Sequence, residues 1–101
     1  MLYELPTLCC IKLISGLWAK KENENGIYYY SFSTSNLDDC KQACIDRSEC
    51  LAINWEPNLP EHQCKLVKTT DTWHVPGITH YVVDRHLASE FFFIFYNNNR
   101  K

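Results

Sequence analysis

The residues best suited to chemistry are four cysteines near the middle of the chain. They follow the pattern C-x3-C-x5-C-x13-C and are Cys40, Cys44, Cys50 and Cys64. Cysteine sulfurs at such spacings can bind a metal, act as a nucleophile or form disulfide bonds. These three chemistries belong to different classes of protein, so the choice among them governs what the sequence predicts about function.

A zinc site would need four soft or imidazole ligands held tetrahedrally. Cys40 and Cys44 would point the same way on a helix, and His62 and Cys64 form an H-x-C pair later in the chain. The tight C-x2-C pair that usually supplies two zinc ligands is absent from the sequence, and Cys50 would have no role. The pattern therefore disfavours a metal, and we predict no metal ligands and no cofactor.

A catalytic thiol would need a lowered pKa and a histidine positioned beside it. The sequence contains no motif that links a cysteine to any of the four histidines, which are His62, His74, His80 and His86. No carboxylate pair or nucleophile elbow is recognisable, and the three glycines do not form a phosphate-binding loop. The sequence therefore predicts no catalytic residues, and we expect the protein not to be an enzyme.

Composition places further limits on the function. The chain has 101 residues, a net charge of −2 and a pI near 6.0, so it is one domain without the basic field that nucleic acids attract. No stretch approaches the roughly 20 apolar residues that span a bilayer, so we expect no membrane insertion by this chain. Six cysteines in so short a chain are typical of an oxidising compartment. We predict an extracellular or secreted location, as a free protein or as part of the ectodomain of a larger one.

The elements that must position the cysteines are one helix and a few short strands. "STSN" at 33–36 is a cluster of helix-capping residues, and Asp38 and Asp39 suit the positive end of a helix running from about Leu37 to about Arg47. Polar or turn-forming stretches at 20–26 and 69–77 are predicted to be loops. β-Branched, aromatic or alternating segments predict strands at 27–32, 51–55, 64–68 and 78–84. This order predicts an α+β fold with a small antiparallel sheet packed against one helix.

Disulfide bonds are the interpretation that these elements favour. Cys40 and Cys44 are one helical turn apart and poorly placed to bond each other, so each should reach another element. Cys50 lies just beyond the helix and can return to Cys44, while Cys64 opens a strand that can lie under the helix and meet Cys40. In the chain-entropy model the outer bond would contribute about 3.5 kcal/mol and the inner bond about 2.4 kcal/mol.

The motif "C-x3-C-x5-C-L-A-I-N-W", followed by "C-K-L", resembles the PAN/apple domain family. Leu66 stands two residues after Cys64, "STSNLDD" fits the entry to the family's helix, and "ITHYVVD" is similar to its closing strand. The nested pairing of that family, 40–64 and 44–50, agrees with the pairing argued above. The resemblance implies a lead at 1–25, a PAN/apple-like domain at 26–84 and a tail at 85–101.

Both ends of the chain depart from the fullest form of the family. Apple domains carry a third bridge between the domain ends, but no cysteine follows Cys64, so Cys9 and Cys10 lack that partner and a two-disulfide PAN form is expected. Glu4 and Lys12 interrupt what would otherwise resemble a secretory signal. We therefore expect an atypical export signal or one that lies outside this chain.

The resemblance implies a non-catalytic extracellular module that recognises proteins or carbohydrates. Candidate ligand contacts are Trp73, Trp55, Lys41 and Arg47, although Trp55 also suits a core and the two cations also suit a solvated helix face. The alternatives are a small secreted disulfide-rich effector, such as an inhibitor or toxin, and a Cys/His zinc-binding protein. A count of free thiols separates the disulfide and zinc hypotheses.

Overall fold

The computed structural model describes residues 16–89 and contains the α+β architecture predicted from the sequence. The elements in chain order are β1 (Trp18–Phe32), α1 (Leu37–Ile45), β2 (Ala52–Trp55) and β3 (Cys64–Val83), and a short helical segment follows at 85–89. Expectations about Cys9, Cys10 and the apolar tail at 91–96 lie outside the described residues. Within 16–89, no helix is long and apolar enough to cross a membrane.

Strands β1 and β3 form a long antiparallel ribbon. The pairing runs from Trp18 opposite Val83 at one end to Phe32 opposite Cys64 at the other, with several irregularities between. The predicted loops at 20–26 and 69–77 are therefore wrong, because both stretches lie within strands. In such a ribbon the backbone N–H and C=O groups of each strand form hydrogen bonds with those of the other. Residues whose polar side chains locally favour a turn can therefore still pair as strands.

Strand β2 lies between the two halves of β3. Ala52 is opposite both Val67 and Val82, and Trp55 is opposite both Cys64 and Thr79. Along both pairings the residue numbers of β3 fall as those of β2 rise, which is the antiparallel sense. The two halves of β3 therefore run in the same direction on either side of β2, and the two ends of β1 form the outer edges of the sheet.

Helix α1 has a well-formed start and end. The Asn36 side chain accepts a hydrogen bond from the Asp38 backbone N–H at 2.8 Å, as expected of a capping residue. At the other end, the Arg85 guanidinium donates to the carbonyl oxygens of Cys44 and Ile45 at 3.4 Å each. A cation that satisfies terminal carbonyls also opposes the negative end of the helix dipole.

Two disulfide bonds and a small apolar core join α1 to the sheet. The bonds are Cys40–Cys64 and Cys44–Cys50, with S–S distances of 2.07 and 2.09 Å. All four cysteines are completely buried. Around them lies a core that includes Leu17, Ile45, Ile53, Trp55, Leu66 and Val83. Because the core is this small, covalent links contribute a large share of its stability.

Candidate ligand-binding surface

A groove of about 310 Å³ lies between the segment that follows β2 and the middle of β3. Its size falls at the lower end of the range typical of sites for small ligands or single side chains. The lining residues are mainly apolar, with one amide and one carboxylate: Glu56, Asn58, Leu59, Val75, Pro76, Gly77 and Ile78. The groove is thus a concave surface with mixed apolar and polar character.

The first wall of the groove is held by hydrogen bonds. The Leu59 backbone N–H donates to the Glu56 carbonyl at 3.2 Å, and the Gln63 side-chain amide donates to the Leu59 carbonyl at 2.8 Å. The Glu56 carboxylate binds the Lys65 ammonium at 2.7 Å, and both side chains are largely buried. The loop therefore presents its side chains from a fixed backbone, although it contains two prolines and no helix or strand.

The second wall is a stretch of β3 that leaves the ribbon pairing. Glu22 is opposite Thr79 and Glu24 is opposite His74, so residues 75–78 have no partner in the β1 ladder. Asn23 sits at this irregularity with a φ of 61°, and its side-chain oxygen accepts the Gly77 backbone N–H at 2.9 Å. Gly77 has a φ of 89°, a conformation that glycine adopts without a steric penalty. The Asn23 side chain thus holds the backbone at Gly77, which lines the groove.

A buried polar network lies next to both walls. Asn54, two residues before Glu56, donates from its amide to the Gly26 carbonyl at 2.8 Å and accepts the Gly26 N–H at 3.1 Å. The same Asn54 oxygen lies 2.7 Å from Nδ1 of His80, which is two residues beyond Ile78. Because that oxygen is an acceptor, His80 Nδ1 must carry the proton. The network ties β1 to β2 and to the second half of β3.

At Gly26 the backbone of β1 passes close to the side chains of His80 and Val67. A side chain there would place Cβ 3.2 Å from both His80 Cε1 and Val67 Cγ1. His80 is 1 % exposed, and burial lowers the pKa of its imidazole. The positive charge of Lys21 lowers this pKa further, while the carboxylate of Glu24 opposes both effects. The folded protein therefore favours the neutral ring.

The four residues proposed from the sequence as ligand contacts lie in different environments. Trp55 is 8 % exposed and belongs to the core, whereas Trp73 is 47 % exposed. The Lys41 ammonium lies 4.6 Å from the ring centroid of Tyr81 and 5.5 Å from that of Trp18. Trp55 is occupied in the core and Lys41 is held between two rings, so the four side chains are not equally accessible to a ligand.

Burial is the main cause that lowers the pKa of Lys41; the charge of Lys20 lowers it as well, and Asp38 opposes both. The Arg47 guanidinium lies 4.6 Å from the ring centroid of Tyr30 and donates to the Ala43 carbonyl at 3.2 Å. Neither cation is the freely solvated group that the acidic helix sequence suggested. Both use their charge within the fold, in cation–π contacts.

Several aromatic and aliphatic side chains remain exposed on the ribbon and the loop. Tyr28 and Tyr30 are nearly half exposed, but each has a cation against its ring, Lys65 at 5.1 Å and Arg47 at 4.6 Å. Among residues 16–89, the exposed large apolar side chains are Ile27, Tyr28, Tyr30, Leu59 and Trp73. Exposed apolar side chains scattered singly are normal on a protein surface, so these residues do not by themselves mark a contact site.

The zinc hypothesis required thiolate ligands from the cysteine cluster. In the structure Cys40, Cys44, Cys50 and Cys64 are bonded to one another in pairs, so none of these sulfurs is a thiolate. Within the part of the chain that is described, no group of three or more His, Cys, Asp and Glu residues is arranged to hold a metal.

Sequence reasoning did not identify the groove or the buried network. The prolines of "EPNLP" and the Pro76-Gly77 pair did signal two irregular segments, but nothing in the sequence indicates that these segments face each other. Asn54 and His80 carry no motif at all. In an alternating strand such polar residues suggest the solvent face, but Asn54 of β2 and His80 of β3 are buried together beside Gly26 of β1.

The chain was compared with known protein families, curated proteins and solved structures. The model of a family described as the PAN domain matches residues 21–89, which is more than half of the chain and includes most of β1 and all of α1, β2 and β3. The two disulfides fit the form of that family. No curated protein and no solved structure matches the chain.

Proposed function

Because the chain belongs to the PAN domain family, we propose that it is a non-catalytic recognition module that acts outside the cell and binds a protein or a carbohydrate. PAN domains are generally binding modules for proteins or sugars. The two buried disulfides support an extracellular location, since such bonds persist in oxidising compartments.

The preformed groove is the observation that carries this proposal. Its walls are fixed by backbone and side-chain hydrogen bonds, so a ligand would bind without first ordering a loop. Exposed Leu59 belongs to the groove, and exposed Trp73 stands two residues from Val75 in its lining. A rigid concavity bordered by apolar groups is typical of a binding surface.

A binding screen of the oxidised full-length chain against arrays of glycans and extracellular proteins tests the proposal. We expect at least one ligand that is retained by the oxidised protein and lost after reduction, because reduction removes the bonds that hold the fold. The matched variants are Leu59→Asp, which alters the groove, and Ile27→Asp, which alters an exposed apolar residue outside its lining.

Loss of binding in Leu59→Asp but not in Ile27→Asp would support the groove as the site. The proposal would be wrong if the oxidised chain retained no ligand, or if reduced and oxidised chains bound equally. Alkylation without reductant checks that the two disulfides of the sample are intact, because bonded Cys40, Cys44, Cys50 and Cys64 are not modified.

A further inference from the structure

We propose that Asn25 is a modification site, where the side-chain amide is lost by spontaneous deamidation, and that the fold suppresses this reaction until the β1–β3 ribbon opens. Asn25–Gly26 is the one Asn-Gly pair in the sequence. Glycine has no Cβ, so its backbone nitrogen can approach the preceding side chain with the least steric hindrance. Three features support the proposal: the packing that requires glycine, the hydrogen bond of its nitrogen and the surroundings of the Asn25 side chain.

The reaction requires no reagent other than water. The Gly26 nitrogen attacks Cγ of Asn25, so a bond forms between these two atoms and the Cγ–Nδ2 bond breaks. The Gly26 nitrogen gives up its proton, the Nδ2 group leaves as ammonia, and the product is a cyclic imide. Water then opens the ring. Breaking the new Cγ–N bond gives aspartate, and breaking the original peptide C–N bond gives isoaspartate.

Packing around residue 26 requires the glycine that makes Asn25 reactive. A Cβ atom there would lie 3.2 Å from His80 Cε1 and Val67 Cγ1, and 3.5 Å from the Asp71 carbonyl oxygen. A larger residue would slow the attack on Asn25, but it would also displace these neighbours in a close-packed interior. The reactive pair is therefore a consequence of the fold.

The folded ribbon holds both reacting groups out of position. The Gly26 N–H donates to Asn54 Oδ1 at 3.1 Å in a buried hydrogen bond. Asn25 is opposite Trp73 and Gly26 is opposite Thr72, so the backbone here is that of a paired strand. Closing a five-membered ring requires the ψ angle of Asn25 to leave the extended range of a strand. Deamidation therefore requires an opening in which Gly26 separates from Asn54.

The ribbon is suited to such an opening at this point. Its pairing is irregular on both sides, between Glu22 and Glu24 and between Gly26 and Tyr28. A short paired section can open locally at a smaller free energy than unfolding of the whole domain requires. Among residues 16–89, the Asn25 Oδ1 atom is one of the buried side-chain atoms without a hydrogen-bond partner, so no such bond restrains its amide once the section opens.

The products of the reaction do not fit the closed ribbon. The cyclic imide has no N–H at residue 26 to donate to Asn54. Isoaspartate lengthens the main chain by one methylene and displaces the strand register. Aspartate places a carboxylate where the Asn25 Oδ1 atom is buried without a partner, which costs free energy. Deamidation therefore converts a transient opening of the ribbon into a permanent one.

The test measures the deamidation rate at Asn25 in the oxidised full-length chain at mildly alkaline pH. Peptide mass spectrometry quantifies the product, and chromatography separates aspartate from isoaspartate. The reference is acetyl-Glu-Asn-Glu-Asn-Gly-Ile-Tyr-amide, which has the sequence of residues 22–28 without the ribbon. We expect the folded chain to react at least about tenfold more slowly than this peptide, because only the open state reacts.

The variant Asn54→Ala removes the group that holds the Gly26 N–H. It should react at least about tenfold faster than the native chain, because its ribbon opens more often. The matched control Asn58→Ala removes the same type of side chain from an exposed loop and should leave the rate unchanged. If Asn54→Ala does not fold, its rate should equal that of the peptide.

Hydrogen exchange of the native chain supplies a test that needs no variant. Exchange of the Gly26 N–H and deamidation at Asn25 require the same opening, so the two reactions should be slowed by factors of the same order of magnitude. Equal deamidation rates in the folded chain and the peptide would overturn the inference. So would an unchanged rate in Asn54→Ala, or a Gly26 amide that exchanges freely while deamidation remains slow.

Discussion

Replacing Asn54 by Ala should be among the most damaging single substitutions outside the cysteines. The Asn54 side chain makes three hydrogen bonds in a fully buried position, two to the Gly26 backbone and one to the His80 ring. Alanine leaves the Gly26 N–H, the Gly26 carbonyl and the His80 N–H without these partners. None of the three groups can turn to solvent without opening the ribbon.

The size of the effect follows from those three bonds. A net contribution of about 1 kcal/mol per bond sets a loss near 3 kcal/mol, and the desolvation cost of stranded groups, about 1–3 kcal/mol each, can only increase it. Small domains have total stabilities of about 5–15 kcal/mol. We therefore expect the variant to lose at least about 3 kcal/mol in its free energy of unfolding.

Urea denaturation followed by circular dichroism measures this loss. With a urea m-value of about 1–1.5 kcal/mol/M, a loss of 3 kcal/mol lowers the unfolding midpoint by about 2–3 M. The matched control is Asn58→Ala, which removes the same side chain from an exposed loop position and should change stability by less than about 0.5 kcal/mol.

A loss below about 1 kcal/mol for Asn54→Ala, or one equal to that of Asn58→Ala, would refute the reasoning. Either outcome would mean that the ribbon is not fastened to β2 through this side chain, and that the polar groups of Gly26 and His80 find other partners at little cost.

Two further predictions concern titration and the covalent links. The buried His80 ring is favoured in its neutral form, so its contribution to stability is complete above the ordinary histidine pKa of about 6.5 and is lost as the pH falls from there towards the lowered pKa of the folded state. Urea midpoints between about pH 7 and pH 5 should fall more steeply for the native chain than for His80→Gln, and parallel curves would contradict this. Replacing Cys40 and Cys64 together by Ser should cost about 3.5 kcal/mol, and replacing Cys44 and Cys50 together about 2.4 kcal/mol, because the first pair closes a loop of separation 24 and the second one of separation 6. The same denaturation assay tests the order, which would be wrong if the second pair cost more.

Local signals were sufficient to predict α1 and its surroundings. Asn36 caps the helix, as the polar cluster at 33–36 indicated, and Asp38 and Asp39 lie in its first turn. Ile53 and Trp55 are buried as the alternation in 51–55 predicts, but Ala52 and Asn54 on the other face are buried as well, which the alternation does not predict. The features that were predicted depend on neighbours in sequence, so helix propensity, capping and strand periodicity are enough to predict them.

The ribbon was not predictable in the same way. The stretch at 20–26 is rich in Lys, Glu and Asn, which locally favour a loop, yet it pairs with residues 46 to 61 positions away. The candidate site depends on this non-local pairing, because its second wall is the part of β3 where the pairing is interrupted. Sequence patterns report local preference, and long-range pairing overrides it.

The described domain has its two ends side by side, and this arrangement determines how it would respond to pulling. Trp18 is opposite Val83, and the Asp84 N–H donates to the Leu17 carbonyl at 2.8 Å. Tension applied at these neighbouring ends would load the ladder one pair at a time, so the ribbon would unzip rather than shear. Unzipping would stop at the Cys40–Cys64 bond, which would then bear the force directly. The enclosed segment 41–63, with most of α1 and all of β2, would carry no load while that bond remained intact.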